Sequence, residues 1–271
     1  MRKPTQFLRI HSPSKLLSAR GLQYQQRQSP LFPHPKQTSG RSFTVPSKPL
    51  NPLTTFIPSS IQQAPSRPRR IVVGITGATG APYAIALLRL LRQLGIETHV
   101  VISKWALATL KYETTMTEEQ IRSLAYANYT ARDVSAPIAS GSFQHDGMVI
   151  VPCSMKTLAA VRSGYCDDLI SRAADVTLKE NRRLLMAVRE TPLSDVHLDN
   201  MLFLRRAGAI IFPPVPAFYT NPDSLEDVVD QSVGRMLDLM GIHTDGFERW
   251  DGFKQNKSVV RPAQANKATH A

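Results

Sequence analysis

An α/β fold, doubly wound with helices on both faces of a mainly parallel sheet, is predicted by three features of this 271-residue chain. Short apolar runs alternate with amphipathic stretches from residue 70 onward. The first run, Ile71, Val72, Val73 and Ile75, is the continuous kind that fills the centre of a parallel sheet. A small-residue turn, Thr76-Gly77-Ala78-Thr79-Gly80, then leads into a helix. Gly77 and Gly80 permit a tight turn with close backbone approach. Pro82 suits the first helical turn, where its missing N–H costs nothing. Orphan N–H groups and the positive helix end should face beyond the strand tip, where a phosphate is the natural occupant. The bland alternative is a packing turn of small residues.

The remaining elements follow in order. A helix from about 82 to 94 carries the apolar stripe Ile85, Leu87, Leu88 and Leu91, and Gly95 ends it. A strand over 97–102 leads to Ser103 as the cap of a helix running to about 111. Strand, crossover helix and strand make one βαβ unit. Residues 114–142 are less regular, with a capping box at Thr117-Glu118-Glu119-Gln120 leading a helix through Tyr126. A third strand over 147–152 opens into a helix at Cys153-Ser154-Met155-Lys156-Thr157. A helix over 168–181, a fourth strand over 184–188, a helix over 195–206 and a fifth strand over 209–212 come next. The last long helix is expected over 225–240. This order predicts a Rossmann- or flavodoxin-like sheet.

Charge divides the chain. Residues 1–70 hold twelve Lys or Arg and no acid, leaving 21 basic against 21 acidic residues in the rest. The net +12 therefore belongs to the first segment, and the globular part is not a nucleic-acid binder by charge. Residues 1–66, rich in Ser, Pro, Gln and Arg, read as a mitochondrial transit peptide with a linker. Phe7, Leu8, Ile10, Leu16 and Leu17, interleaved with Arg9, Lys15 and Arg20, suit a short basic amphipathic helix. Arg41, ahead of Ser42-Phe43-Thr44, marks a candidate cleavage point. A basic tail without an address is the alternative. The domain itself is expected over 67–250, with a polar tail at 251–271. No apolar run is long enough to span a bilayer. Cys153 and Cys166 make neither a metal set nor a disulfide framework, which fits a reducing interior.

In such a sheet the ligand sits beyond the carboxyl ends of the strands. This chain places there Gly77, Ala78 and Thr79, then Ser103, then Ser154 to Thr157, then Arg189 and Glu190, with Phe218 and Tyr219 after the fifth strand. Two hydroxyl-bearing helix starts plus an Arg hold a phosphate well. Each hydroxyl alone is equally an ordinary N-cap. A second, basic set comprises Arg172 and Lys179, seven apart on one helix face with Asp175 between them, and Arg235 on the last helix. Ion pairs on a solvated face, and a snorkelling Arg, are the bland readings. If Arg172, Lys179, Arg189 and Arg235 converge, they bind a second phosphate.

A set of short motifs runs from about residue 70 to 250. They are Thr76-Gly77-Ala78-Thr79-Gly80, Ile102-Ser103-Lys104, Ala139-Ser140-Gly141-Ser142 and Val151-Pro152-Cys153-Ser154. Arg172-Ala173-Ala174-Asp175-Val176, Leu178-Lys179-Glu180, Arg189-Glu190, His197-Leu198-Asp199-Asn200-Met201 and Pro216-Ala217-Phe218-Tyr219 complete the set. Together these motifs resemble the UbiX/Pad flavin prenyltransferases. The resemblance implies transfer of a dimethylallyl group, from dimethylallyl phosphate or pyrophosphate, to N5 and C6 of reduced FMN. The product, prenylated FMN, would serve a UbiD-type decarboxylase. It implies that Gly77, Ala78, Thr79, Ser103, Ser154, Met155, Lys156, Thr157 and Arg189 hold FMN. Lys179, Tyr219 and Arg235 would grip the allylic phosphate with Arg172 nearby, Glu190 would handle protons, and Glu113 matches an acid near the prenyl site. It further implies a homo-oligomer, usually a dodecamer, with the active site at a subunit junction.

The chemistry agrees with this reading. Charge developing on a leaving phosphate is stabilised by positioned Lys, Arg and Tyr donors. Most prenyl-transferring enzymes hold Mg²⁺ with sets of Asp-rich pairs, and no such carboxylate set is read here, so metal independence is expected. An electron-rich flavin face would stabilise an allyl cation, and aromatic side chains would keep water from it. Trp250 is a candidate for that wall, or else a packing anchor. Thr79 stands where the family commonly carries Ser, keeping the hydroxyl.

Three other readings compete. A short-chain dehydrogenase needs a third Gly where Tyr83 stands, and a Tyr-x-x-x-Lys that is absent from the sequence. A flavin-dependent cysteine decarboxylase of the same fold would carry an Asn that Pro137-Ile138-Ala139-Ser140-Gly141-Ser142 lacks. An FMN-binding carrier or regulatory subunit of a decarboxylase would bind flavin without turnover, and would not need the basic set.

Overall fold

The computed structural model describes residues 67–250 and residue 252. The expected transit segment at 1–66 lies outside the described residues, as does the 251–271 tail apart from Gly252. Six strands form one sheet: β1 (Arg70–Ile75), β2 (Glu97–Ile102), β3 (Ala127–Thr130), β4 (Met148–Cys153), β5 (Leu184–Val188) and β6 (Ile210–Ile211). Their order is β3-β2-β1-β4-β5-β6, and every pairing is parallel. Seven α-helices connect them: α1 (Ala81–Gln93), α2 (Lys104–Glu113), α3 (Glu118–Arg122), α4 (Met155–Ser163), α5 (Leu169–Lys179), α6 (Asp195–Arg206) and α7 (Leu225–Leu239).

β1 is central because its apolar run is buried on both faces. Val73 lies opposite Val100 on β2 and Val149 on β4. On one face the strands pack against α1, α2 and α7 through Leu87, Leu88, Leu110, Met236 and Leu237. On the other face α4, α5 and α6 contribute Leu158, Ile170 and Leu204. Each fully buried Leu or Ile is worth roughly 1.5–3 kcal/mol against leaving it in water. Helices on both faces and a strand order reversing at β1 make this the doubly wound fold expected.

Two local expectations change. β3 is a strand that no apolar run announces. Its residues Ala127, Asn128, Tyr129 and Thr130 alternate half-buried and exposed at the sheet edge, so only backbone pairing with β2 defines it. Consequently the helix opened by the Thr117 capping box is short, ending at Arg122 instead of Tyr126. The box itself forms, with Thr117 and Gln120 exchanging side-chain and backbone bonds.

Candidate active site

The chain leaves β1 toward β2 and β3 on one side and returns through β4, β5 and β6 on the other. The crevice where strand order reverses lies beyond the carboxyl ends of β1 and β4. Thr76 bolts its two walls together. Its Oγ1 donates to the Pro152 carbonyl at 2.7 Å and accepts from the Ser154 N–H at 2.8 Å. The neighbouring tips join the same edge. The Ser103 N–H donates to the Ile75 carbonyl, and the Arg189 N–H to the Cys153 carbonyl. Thus Gly77, Ala78, Thr79, Ser103, Ser154, Met155 and Arg189 share one rim, partly or fully open to solvent above buried strands.

Three helices begin at this rim, and they are not equivalent. Gly80 caps α1 with φ 120°, a conformation that glycine adopts without strain, and it brings no side chain to cap the helix. Glu113, the last residue of α2, supplies the missing acceptor. Its Oε2 takes the N–H groups of Gly80 and Ala81, both at 2.8 Å. The expected phosphate at the α1 end is therefore corrected. A carboxylate already neutralises that helix terminus and would repel a second anion. The anion-ready starts are those of α2 and α4, whose first-turn N–H groups face the strand tips.

Ser103 and Ser154 cap these two helices as well as lining the rim. Ser103 Oγ accepts from the Ala106 N–H at 3.1 Å. Ser154 Oγ accepts from the Thr157 N–H at 3.4 Å and meets the Thr157 hydroxyl at 3.2 Å. The two readings of these serines are compatible, because a hydroxyl that accepts a capping bond still has its own proton to donate. Lys156 differs. Its ammonium lies 3.2 Å from Asp167 and 3.3 Å from Asp168, on the exposed side of α4. Burial lowers its pKa, but these two carboxylates outweigh burial and raise it, so it stays protonated. Thr157 is buried, and Met155 is half-buried. Hydroxyls, open N–H groups and the Arg189 guanidinium together form a donor set that fits a phosphate-bearing ligand.

The basic set does not converge within one chain. Arg172 lies on α5, its Nε donating to the Ala139 carbonyl at 3.2 Å and its Nη1 to Asp175 at 3.0 Å. Seven residues further along, roughly 10 Å down the helix axis, Lys179 pairs with Glu180 against Gly141. That is the opposite edge of the sheet. Arg182 there binds the Gly141 and Phe143 carbonyls, and the Arg183 carbonyl opens β4 by accepting from the Met148 N–H. The heptad spacing did put both residues on one helix face, but α5 runs from one sheet edge to the other. Arg235 and Tyr219 lie elsewhere again. Arg235 sits on the exposed side of α7 and donates to Asp238 at 3.2 Å. Tyr219 meets Trp250 edge-to-face, with ring centroids 5.3 Å apart. Glu190 is exposed beside Arg189, its Oε1 accepting from the Thr191 N–H at 3.0 Å.

A cavity of about 1090 Å³ connects the rim with α7. Thr79, Glu113 and Arg189 line its rim end, Tyr83 and Val229 its flanks, and Phe247 its far side. Asp238, which gathers Arg235, His243 and Arg249, was not singled out from sequence. The i,i+3 spacing of Arg235 and Asp238 was the one available signal.

The profile of the Flavoprotein family matches residues 59–239. A mitochondrial flavin prenyltransferase of Saccharomyces cerevisiae is 63% identical over 191 residues, covering 70% of this chain and 79% of that protein. The flavin prenyltransferase UbiX of Escherichia coli is 50% identical over 187 residues, covering 68% of this chain and 99% of its own length. Among solved structures, AnUbiX in complex with FMN and dimethylallyl pyrophosphate is 61% identical with a TM-score of 0.69, covering 69% of this chain and all of that one. A dodecameric FMN-dependent UbiX-like decarboxylase from Escherichia coli is 49% identical with a TM-score of 0.67, covering 68% of this chain and 100% of its own. With two thirds of the chain matched and 79% and 99% of these two relatives spanned, the protein belongs to the UbiX/Pad flavin prenyltransferase family of flavoproteins.

Proposed function

We propose that this protein is a flavin prenyltransferase. It joins a dimethylallyl group from dimethylallyl phosphate or pyrophosphate to N5 and C6 of reduced FMN, yielding prenylated FMN for a UbiD-type decarboxylase. The observation that carries the reading is the cavity that runs from the strand-tip rim at Thr79 and Arg189 to α7. A flavin store needs the rim alone. A transferase needs the space beyond it for a second substrate.

Reduced FMN supplies the nucleophile, and the chain's residues do the rest. Ser103, Ser154, Thr157, Arg189 and the turn at Gly77, Ala78 and Thr79 would hold FMN, with Met155 and Lys156 at the α4 start. Tyr219 and Arg235 would take the donor phosphate, stabilising charge as it develops on the leaving oxygens. Glu190 would accept the proton released when the ring closes. Trp250, packed against Tyr219, would exclude water from the reacting carbons.

Lys179 and Arg172 enter this scheme from another copy of the chain. Lys179 lies at the far sheet edge of its own subunit, yet its ammonium suits a phosphate. Val196, Leu198, Leu202 and Phe203 on α6, with Trp105 and Phe218 at the rim, are large apolar side chains exposed on the single chain. They favour an assembly that closes the site at a subunit junction. A dodecamer of the kind named for the Escherichia coli relative fits this need. Mitochondrial localisation is supported by the acid-free basic composition of residues 1–66 and by the mitochondrial yeast relative. The same composition shift supports the division into a 1–66 leader, a 67–250 catalytic domain and a 251–271 tail.

The test is anaerobic incubation with reduced FMN and dimethylallyl phosphate in the presence of EDTA, read by mass spectrometry of the flavin. The expected flavin is heavier by one five-carbon unit, at a rate EDTA does not change, because cationic side chains do the work Mg²⁺ does elsewhere. Unmodified flavin with both the monophosphate and the pyrophosphate would overturn the reading in favour of an FMN carrier.

A further inference from the structure

The segment after α7 folds back along that helix, and one carboxylate holds it there. Asp238 accepts from Arg249 Nε at 3.0 Å and Nη2 at 2.8 Å, from His243 Nδ1 at 3.0 Å, and from Arg235 Nη1 at 3.2 Å. Its side chain is only 10% exposed, whereas Arg235 and Arg249 are 44% and 39% exposed. The bond to Arg249 pulls the Asp238 pKa down to about 2, against the opposing effect of burial, so this hub is an anion at neutral pH. Arg249 is fixed further by a bond to the Thr244 carbonyl at 2.6 Å and by stacking 4.2 Å from the Phe247 ring centroid. The Phe247 ring occupies the notch that Gly234 leaves on α7, where any Cβ would collide with it. The next residue after Arg249 is Trp250, whose ring meets Tyr219.

We infer that Asp238 is a positioning residue for the donor half of the site, setting Arg235, Trp250 and Tyr219 relative to one another. The inference rests on the proposed reading of Arg235 and Tyr219 as phosphate ligands. The four bonds to Asp238 are unequal. Arg249 contributes two bonds, including the shortest at 2.8 Å, and forms a two-pronged clamp, while Arg235 contributes the single longest. Arg235 spends only Nη1 on Asp238 and can therefore offer its other N–H groups to an incoming phosphate without leaving the carboxylate. Asp238 holds Arg235 extended along α7 instead of free in solvent, which lowers the ordering cost of donor binding. Through Arg249 the same carboxylate fixes Trp250 against Tyr219.

The test compares Asp238→Asn, Arg249→Lys and Arg235→Ala in the full-length chain, with steady-state kinetics in dimethylallyl phosphate, FMN affinity and Tm. Trp250 exposure is read by acrylamide quenching in a Trp105→Phe background, which leaves one of the two tryptophans. Asp238→Asn should raise the donor KM about tenfold while leaving FMN affinity within about twofold, and should increase Trp250 quenching. Arg249→Lys keeps the charge but loses the fork, and should reproduce these changes. It also carries the test should Asp238→Asn not fold. Asp238→Glu should recover part of the donor affinity. If Arg235→Ala raises the donor KM and neither Asp238→Asn nor Arg249→Lys does, the inference fails and the site reading stands. If Arg235→Ala leaves the donor KM unchanged, the site reading fails and the inference falls with it. A lowered Tm with donor KM and FMN affinity weakened equally would mark Asp238 as merely structural, and overturn the inference.

Discussion

Glu113 closes the N-terminus of α1 at Gly80, from a helix that ends 33 residues further along the chain. Its carboxylate replaces the side-chain cap that a glycine cannot provide, and it takes the Ala81 N–H as well. The Gly-rich turn is thereby held from behind, so that Thr79 and Gly77 present their backbone to the crevice. One acid thus links the end of α2, the start of α1 and the lining of the cavity.

Replacing Glu113 by Ala should cost about 1 kcal/mol, the usual worth of an N-cap. For a domain of this size the Tm should fall by about 2–4 °C. Glu113→Gln retains one carbonyl acceptor and should lose about half as much. FMN affinity should fall in the same order, because the turn carrying Thr79 loosens. Thermal unfolding and flavin titration of the two variants check both statements. Equal Tm for Ala and wild type would remove the capping role.

Gly77 is required for a different reason. A Cβ there would collide with the Trp105 side chain and lie 3.1 Å from the Trp105 backbone carbonyl carbon, at the start of α2. A backbone obstacle cannot rotate away. Gly77→Ala should therefore push the β1–α1 turn off the α2 N-terminus and weaken FMN binding by about tenfold or more. The fold itself should lose about 1–3 kcal/mol from overpacking. Flavin fluorescence titration is the decisive measurement, and unchanged affinity would show that the turn adapts.

Most of the sheet was legible because burial on both faces leaves a continuous apolar run. β1, β2 and β5 fall where Ile71 to Ile75, Val100 to Ile102 and Leu184 to Val188 predict them. β3 was not, because an edge strand reading Ala-Asn-Tyr-Thr carries neither an apolar run nor a turn signal of its own. At the site, Ser103 and Ser154 were legible as helix caps because capping is local in sequence. The Glu113 cap was not, because its partner is set by the packing of α2 beside α1. Arg172 and Lys179 do not meet Arg235 within one chain for a related reason. Helical spacing fixes which face a residue occupies, but not which edge of the sheet that part of the helix reaches.

Glu190 should act on protons and not on binding. It is exposed at the tip of β5 beside Arg189, and only the neighbouring Thr191 N–H engages its Oε1 among the described residues. Glu190→Gln preserves that hydrogen bond and removes the base. The turnover rate should drop by about 10²–10³, with FMN affinity and Tm unchanged. Single-turnover formation of prenylated flavin measures it. A rate within about threefold of wild type would reassign the proton step.

Acid should destabilise the fold through a histidine far from the reaction. His145 is 3% exposed, and its Nδ1 donates to the Gly147 carbonyl at 3.1 Å, which leaves Nε2 unprotonated and unpartnered among the described residues. Phe143 stacks beside it at 6.4 Å and meets His99 edge-on at 5.1 Å, while His99 Nδ1 lies 3.0 Å from the Tyr129 hydroxyl. Burial pushes the His145 pKa down to about 4. The Arg182 and His99 charges push the same way, and the Gly147 carbonyl and Asp146 oppose them. The unfolded imidazole takes up its proton near pH 6.5, so between about 6.5 and 4 the unfolded chain binds more protons than the folded one. Stability therefore falls as pH falls through that window, by at most about 3 kcal/mol from this residue, and the loss is complete below the folded pKa. His145→Asn keeps a donor for the Gly147 carbonyl without the titration. Its Tm should decline less steeply than wild type between pH 6.5 and 4, and the two curves should run parallel from pH 7 to 8. Parallel curves throughout would show that His145 takes up its proton as readily in the folded chain as in the unfolded one.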